Sequence, residues 1–135
     1  MSRLWRRAAS VTRMLAITLA DDSFHRAHHA LVMAAGALAL GRPVVLFGGG
    51  LGVFALCRDW RRLSGSAFDA DIQARGVAGF ETLREAVQDL GIELLACESG
   101  LRMAACTAAD LCDGVTVCGV TRFFERAGDG QMIAV

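Results

Sequence analysis

The feature of this sequence that most restricts its fold is a regular exchange between short apolar runs and longer helix-forming stretches, kept up from residue 14 to the last residue. Residues 14–20 are apolar and stop at Asp21-Asp22-Ser23, a pattern that predicts a buried strand followed by a helix N-cap. Residues 24–40 are rich in alanine and long enough for a helix, which Gly41 and Pro43 end. Val44-Val45-Leu46-Phe47 predicts the second strand, Gly48-Gly49-Gly50 breaks it, and residues 51–63 have the length of another helix. Residues 64–79, with Ser64-Gly65-Ser66 and Gly76, read as a long connection.

The second half repeats the exchange more clearly. Across residues 80–90, Leu83, Val87 and Leu90 fall at helical spacing, with Glu81 and Glu85 in the first turn and Gly91 as the stop. Residues 92–96 predict a strand and 98–105 a short helix, with Thr107 or Asp110 capping a further turn. Residues 115–118 predict a fourth strand, 119–127 a helix and 131–135 a terminal strand. Strands and helices alternating in this way build a parallel sheet with helices on both faces. The expected fold is therefore α/β, a three-layer α/β/α sandwich with a parallel, flavodoxin-like five-stranded sheet. At 135 residues the chain has room for one such unit, expected over 14–135, with 1–13 as an N-terminal extension.

Composition narrows the function classes. Apolar residues make up 54% and charged residues 21%, which supplies a core and excludes a disordered chain. All fourteen cations are arginine, fourteen carboxylates cancel them, and the absence of lysine removes Schiff-base chemistry. A net charge near zero offers nucleic acid no electrostatic footprint. The longest uncharged stretch, residues 43–57, is too short and too glycine-rich to span a bilayer, so no membrane partner is expected. Residues 1–13 carry Arg3, Arg6, Arg7 and Arg13 and no acid, as a secretory leader would, but the apolar run behind them is short and ends in two aspartates; it is read as a strand. Five cysteines, with no CxxC pair and no zinc-site spacing, point to reduced thiols and a cytoplasmic setting.

The expected architecture converts positions into a location. In an open parallel sheet the strand-to-helix turns gather at the carboxyl edge and point backbone N–H groups outward. Three turns fall there: Asp21-Asp22-Ser23, Gly48-Gly49-Gly50 and Cys97-Glu98-Ser99-Gly100. The triglycine lacks the Lys and Ser/Thr of a P-loop and reads as a turn. Cys97, at the junction of strand and helix, is placed where N–H groups stabilise a thiolate, the form that nucleophilic sulfur chemistry needs. His25, His28 and His29 share a helical face, but no carboxylate completes a metal motif, so no metal or other cofactor is expected. His25 is instead assigned to the edge beside Cys97, where it would help hold the anion.

Taken in order, these pieces resemble the DsrE/DsrF-like sulfur-relay proteins of the TusD and YchN types. The resemblance runs from residue 14 to 135. It rests on the first strand with its Asp/Ser loop and alanine-rich helix, the strand leading to Phe47, Leu90-Gly91-Ile92-Glu93-Leu94-Leu95-Ala96-Cys97, and Asp113-Gly114-Val115-Thr116-Val117-Cys118-Gly119-Val120. It implies a persulfide carrier, with Cys97 as the catalytic residue that receives sulfane sulfur, and Asp22, Ser23, His25, Gly49, Glu98 and Ser99 around it. It also implies trimers or hexamers, and sulfur donor and acceptor proteins as partners. Self-association is expected on physical grounds too, because residues 29–40 carry no charge over three turns and should bury against something on both sides.

Two other functions stay open from the residues alone. One is a small-ligand binding module of the same fold without covalent chemistry; the other is a thiol redox protein in which Cys97 pairs with Cys106. Cys106 and Cys112 are additional to the family pattern and leave an intramolecular disulfide or a resolving thiol open. Cys57, Cys106, Cys112 and Cys118 are otherwise read as core fillers.

Overall fold

The computed structural model describes residues 13–135, and both readings of the N-terminus, extension or leader, fall mainly on residues outside that range. Five strands make one sheet: β1 (Leu15–Leu19), β2 (Val44–Gly48), β3 (Glu93–Cys97), β4 (Val115–Cys118) and β5 (Gln131–Ala134). All pairings are parallel, and the order across the sheet is β4-β3-β2-β1-β5. The parallel sheet and its flanking helices agree with the sequence expectation. The order differs in detail from flavodoxin, because here the single change of direction comes at the last strand rather than after the second.

That order decides which face each helix covers. A crossover between parallel strands is right-handed, so successive steps in one direction put their connections on one face. The steps from β1 to β4 carry α1 (Phe24–Ala39), α2 (Phe68–Ala74), α3 (Phe80–Asp89) and α4 (Glu98–Met103); the return to β5 carries α5 (Val120–Ala127) on the other. The packing follows suit. Leu15, Ile17, Leu19, Val44, Leu46, Leu94 and Ala96 join the large core under α1, α3 and α4. The alternate residues Ala16, Val45, Phe47 and Leu95 pack against Phe123 and Ala127 of α5. In this smaller layer Phe47 and Phe123 stack with centroids 5.0 Å apart, an arrangement that contributes about 0.5–1.5 kcal/mol beyond burial.

Local sequence accounts for most of the elements. Ser23 caps α1 by accepting from the Arg26 N–H at 3.2 Å. Ala27, Ala30, Ala34 and Ala37 lie buried on one stripe of α1, where their small side chains let the helix backbone come close to the sheet. A reciprocal box between Thr107 and Asp110 starts the 3-10 turn Ala108–Asp110, where the sequence placed a cap. No helix among the described residues is long and apolar enough to cross a membrane.

Two stretches depart from expectation. Residues 51–63 do not form one helix; they make the 3-10 segments Gly50–Leu56 and Trp60–Arg62. The chain is diverted between them by partners far away in sequence. Arg84 of α3 is buried and donates to the carbonyl oxygens of Ala55 (2.9 Å) and Cys57 (2.6 Å), which a continuous helix would have kept for itself. Cys57 forms a bridge with Leu111, and Arg58 N–H donates to Asp110 O. The expected connection at 64–79 contains the helix α2, tied to α3 by the buried Asp69, whose carboxylate accepts from the Phe80 N–H at 2.8 Å and from Gln73 at 2.8 Å.

Gly52 lies so close to β1 that a Cβ there would strike the carbonyl of Leu19, which is backbone and cannot yield, whereas a Cβ at Gly36 in α1 would meet nothing within 4 Å. Gly52→Ala should lower stability by about 1–3 kcal/mol or more, as overpacking does. Gly36→Ala should raise it by about 0.5–1 kcal/mol through helix propensity. Urea unfolding of the two variants beside the parent checks both signs.

Candidate functional site

The site is built at the carboxyl end of β3. Cys97 is the last residue of that strand and the N-cap of α4, half-buried, with an extended backbone (φ −72°, ψ 129°). Its strand is driven inward by Leu94, Leu95 and Ala96, all buried, so the position of the sulfur is fixed by the core beneath it. Gly100, one turn into α4, packs onto the loop after β2: a Cβ there would collide with the backbone of Gly50. The turn containing Gly49 is thus brought against the turn containing Cys97. Gly49 itself caps the 3-10 segment and donates its N–H to Leu19 O at 2.9 Å.

The Cys97 thiol titrates below its ordinary range. Burial is the largest single influence and pushes the other way, but the Ser99 hydroxyl and the N–H groups of Gly100 and Ser99 together outweigh it. Ser99 Oγ lies 3.1 Å from Cys97 Sγ, and it donates when the sulfur is a thiolate. The Glu98 carboxylate opposes the anion. Serine two residues after the cysteine therefore favours the thiolate, while Glu98, exposed, works against the anion it adjoins.

The other cysteines differ. Cys57 is buried, and its thiol is pushed up to about 12 by burial and then by neighbouring Cys106. Cys106 is buried too, with the Arg62 guanidinium donating to its sulfur at 3.1 Å. Burial also raises Cys112. Cys118 is raised by burial first and then by the charge of Cys97, its register partner on β4. The sequence reading of Cys118 as a core filler is corrected here: the residue is only half-buried, beside Cys97 at the rim of the smaller layer. The signal was present, since both strands end in cysteine, but the register between them is not written in either.

Two further expectations need correction. The suggested pairing of Cys97 with Cys106 is not what the fold brings together, because Cys106 turns into the core under the opposite face and meets Cys57 and Arg62. His25 does not support Cys97 either. It follows β1, which β2 separates from β3, and it lines a cleft of about 200 Å³ with Phe24, His28, Phe68, Ile72 and Val77. Asp22 and Ser23 share that location: Asp22 O accepts from Ser64 N–H, and Ser23 bridges Ser64 as well as capping α1. Of the residues singled out from the sequence, Cys97, Glu98, Ser99 and Gly49 come together, and Asp22, Ser23 and His25 serve the loop at Ser64 and the neighbouring cleft.

Comparison with known proteins bears on this geometry. No family model matches the chain. A segment of 61 residues, 45% of the chain, is 33% identical to the sulfur carrier protein DsrE2 of Allochromatium vinosum. Solved structures of the same fold include the ychN protein of E. coli, at a TM-score of 0.59 and 11% identity over 92% of this chain and 99% of that one. The chain shares the fold of these solved structures and, over part of its length, is similar to a DsrE-type sulfur carrier. A protein of unknown function from Methanobacterium thermoautotrophicum also shares the fold, with a TM-score of 0.60 and 18% identity over 91% of this chain and 99% of that one. The match to the curated relative spans 38% of that protein's length.

The balance at Cys97 should be adjustable from both sides. Ser99→Ala removes a donor to the thiolate, raises the Cys97 pKa and lowers the thiolate fraction at fixed pH, so alkylation by iodoacetamide near pH 7 should slow by roughly a few-fold. Glu98→Gln removes the opposing charge and should speed it. The pH–rate profile of Cys97 alkylation, followed by peptide mass spectrometry, should shift up in the first variant and down in the second.

Proposed function

We propose that this protein is a persulfide carrier: Cys97 takes sulfane sulfur from a donor protein, holds it as Cys97–S–S⁻ and delivers it to an acceptor protein. The observation that supports this most directly is the contrast between Cys97 and three other sulfurs of the chain. One thiol, Cys97, is lowered by three hydrogen-bond donors at a partly exposed strand end, while Cys57, Cys112 and Cys118 are raised. Sulfur transfer requires a thiolate that a donor can reach, and the persulfide formed is an anion that the same donors can hold. The Allochromatium vinosum relative is a sulfur carrier protein, which supports the same reading. No redox cofactor is called for, because a thiolate exchanges sulfur with a persulfide by nucleophilic displacement alone.

We also propose that the carrier self-associates. The buried stripe of α1 faces its own sheet, yet Val32 and Met33 stand exposed on the same helix, as does Leu40 at its C-cap, at 64%. A groove of about 260 Å³ between this helix and β5 is lined by Leu15, Met33, Ala37, Leu40 and Ile133. A second copy of the chain would cover this apolar groove.

After incubation with inorganic polysulfide, Cys97 should gain about 32 Da, one sulfur, and Cys97→Ser should fold as the parent does but gain nothing at that position. An unmodified Cys97 in folded protein would overturn the carrier reading and leave a non-covalent binding module in its place. In light scattering at micromolar concentration the parent should run as an oligomer, and Leu40→Glu with Met33→Glu should shift it toward monomer; a monodisperse parent monomer would overturn self-association.

A further inference from the structure

Parallel strands β3 and β4 end together, and their last residues are both cysteine. Cys97 and Cys118 are Cα partners in the register, so their side chains leave the sheet on the same face. Both are partly buried and pack against the same small cluster beside Phe47, Leu95 and Phe123. The helix that covers this face, α5, lies over β1 and β2, which leaves the ends of β3 and β4 at its rim and open to solvent. Neighbouring strands run about 4.8 Å apart, within the Cα separation of about 4.4–6.8 Å over which a disulfide can close. Gly119 follows Cys118 directly and is free of close contacts, so the β4 backbone can adjust there.

We propose that Cys118 is a resolving thiol for the persulfide on Cys97, acting when no acceptor protein takes the sulfur. The proposal rests on the carrier reading above. Cys118 Sγ attacks Cys97 Sγ, and a Cys97–Cys118 disulfide forms as the bond from Cys97 Sγ to the outer sulfur breaks. The electron pair of that bond leaves with the outer sulfur, which also takes the Cys118 thiol proton and departs as hydrosulfide. The outer sulfur is reduced and Cys118 is oxidised, while the Cys97 sulfur passes from persulfide to disulfide at the same oxidation level, so no outside oxidant enters. Before and after the step the site carries one negative charge, first on the persulfide and then on the leaving hydrosulfide.

The geometry gives each sulfur one role. Cys97, with Ser99 Oγ at 3.1 Å and the amides of Ser99 and Gly100 around it, is the thiol that loads first. Cys118 lacks that set of donors and stays protonated while Cys97 carries the charge, which supplies the proton that the leaving sulfur needs. The second sulfur pair of the fold, Cys57 with Cys106, lies buried on the opposite side of the sheet under Arg62 and has no part in the step. A carrier built in this way limits how long a reactive persulfide persists: an acceptor that arrives early receives the sulfur, and otherwise the chain closes into a disulfide that a dithiol reductant reopens.

The test uses the full chain, loaded anaerobically with inorganic polysulfide, freed of excess reagent, and sampled over time by acid quench, sulfide assay and peptide mapping. The parent should lose the added mass of about 32 Da from Cys97, release about one equivalent of sulfide, and gain a Cys97–Cys118 disulfide. Cys118→Ser should load equally and retain the persulfide at least roughly tenfold longer. Cys118→Ala, checked for folding by circular dichroism, should behave in the same way. Equal persulfide lifetimes in parent and both variants, or a disulfide mapped to Cys57–Cys106, would overturn the resolving role while leaving the carrier intact. Failure of Cys97 to load at all would overturn the carrier reading and this proposal with it.

Discussion

Right-handed crossover between parallel strands is the constraint from which the rest of this structure follows. Three successive steps in one direction, β1 to β4, place α1 through α4 on one face, and the single step back to β5 leaves the opposite face to α5 alone. One layer is deep and continuous; the other is a short helix seated on Phe47 and its neighbours. A helix of eight residues cannot cover five strands, so β3 and β4 finish at an uncovered rim. The edge that carries Cys97 and Cys118 is therefore a consequence of topology, in space that the helices leave unfilled.

Where the polypeptide gives up regular structure, buried polar side chains replace the lost hydrogen bonds. The stretch after β2 bends away from helix at Cys57, and its carbonyls find Arg84, a cation that reaches through the core with Phe80 packed beneath its guanidinium. Asp69 plays the equivalent part for the first amide of α3. Among the described residues no buried side-chain nitrogen or oxygen is left without a partner, as a chain of this apolar content requires. These two residues bind the irregular region to α3, and this keeps the 3-10 segment beside β2 where Gly50 can receive Gly100 of α4. The position of Cys97 depends on that contact as much as on its own strand.

Five cysteines of one chemical kind are sorted by surroundings alone. Cys57 and Cys106 meet in the core, where burial pushes the Cys57 thiol up; Cys112 is partly buried near Arg84 and raised by the same cause. Cys97 differs because a hydroxyl and two amides converge on it, and their combined pull exceeds the cost of its partial burial. Cys118 is raised by its partial burial first and then by the charge of Cys97. The thiolate form is thus favoured by a few donors at a strand end rather than by the number or spacing of cysteines in the chain.

The sequence by itself determined the elements whose causes are local. The apolar runs gave all five strands, Ser23, Gly41 and Gly91 delimit helices within a residue or two, and Cys97 with Ser99 and Glu98 was legible because all three lie on one strand-to-helix turn. Tertiary structure decided what depends on partners distant in the chain. It split residues 51–63 into 3-10 turns, because Arg84 and Asp110 capture groups that a helix would have used. It set His25 apart from Cys97 by inserting β2 between their strands, and turned Cys106 toward Cys57. It also laid Cys118 beside Cys97, 21 residues away in sequence, because register between parallel strands comes from the packing of both faces and has no signature within either strand.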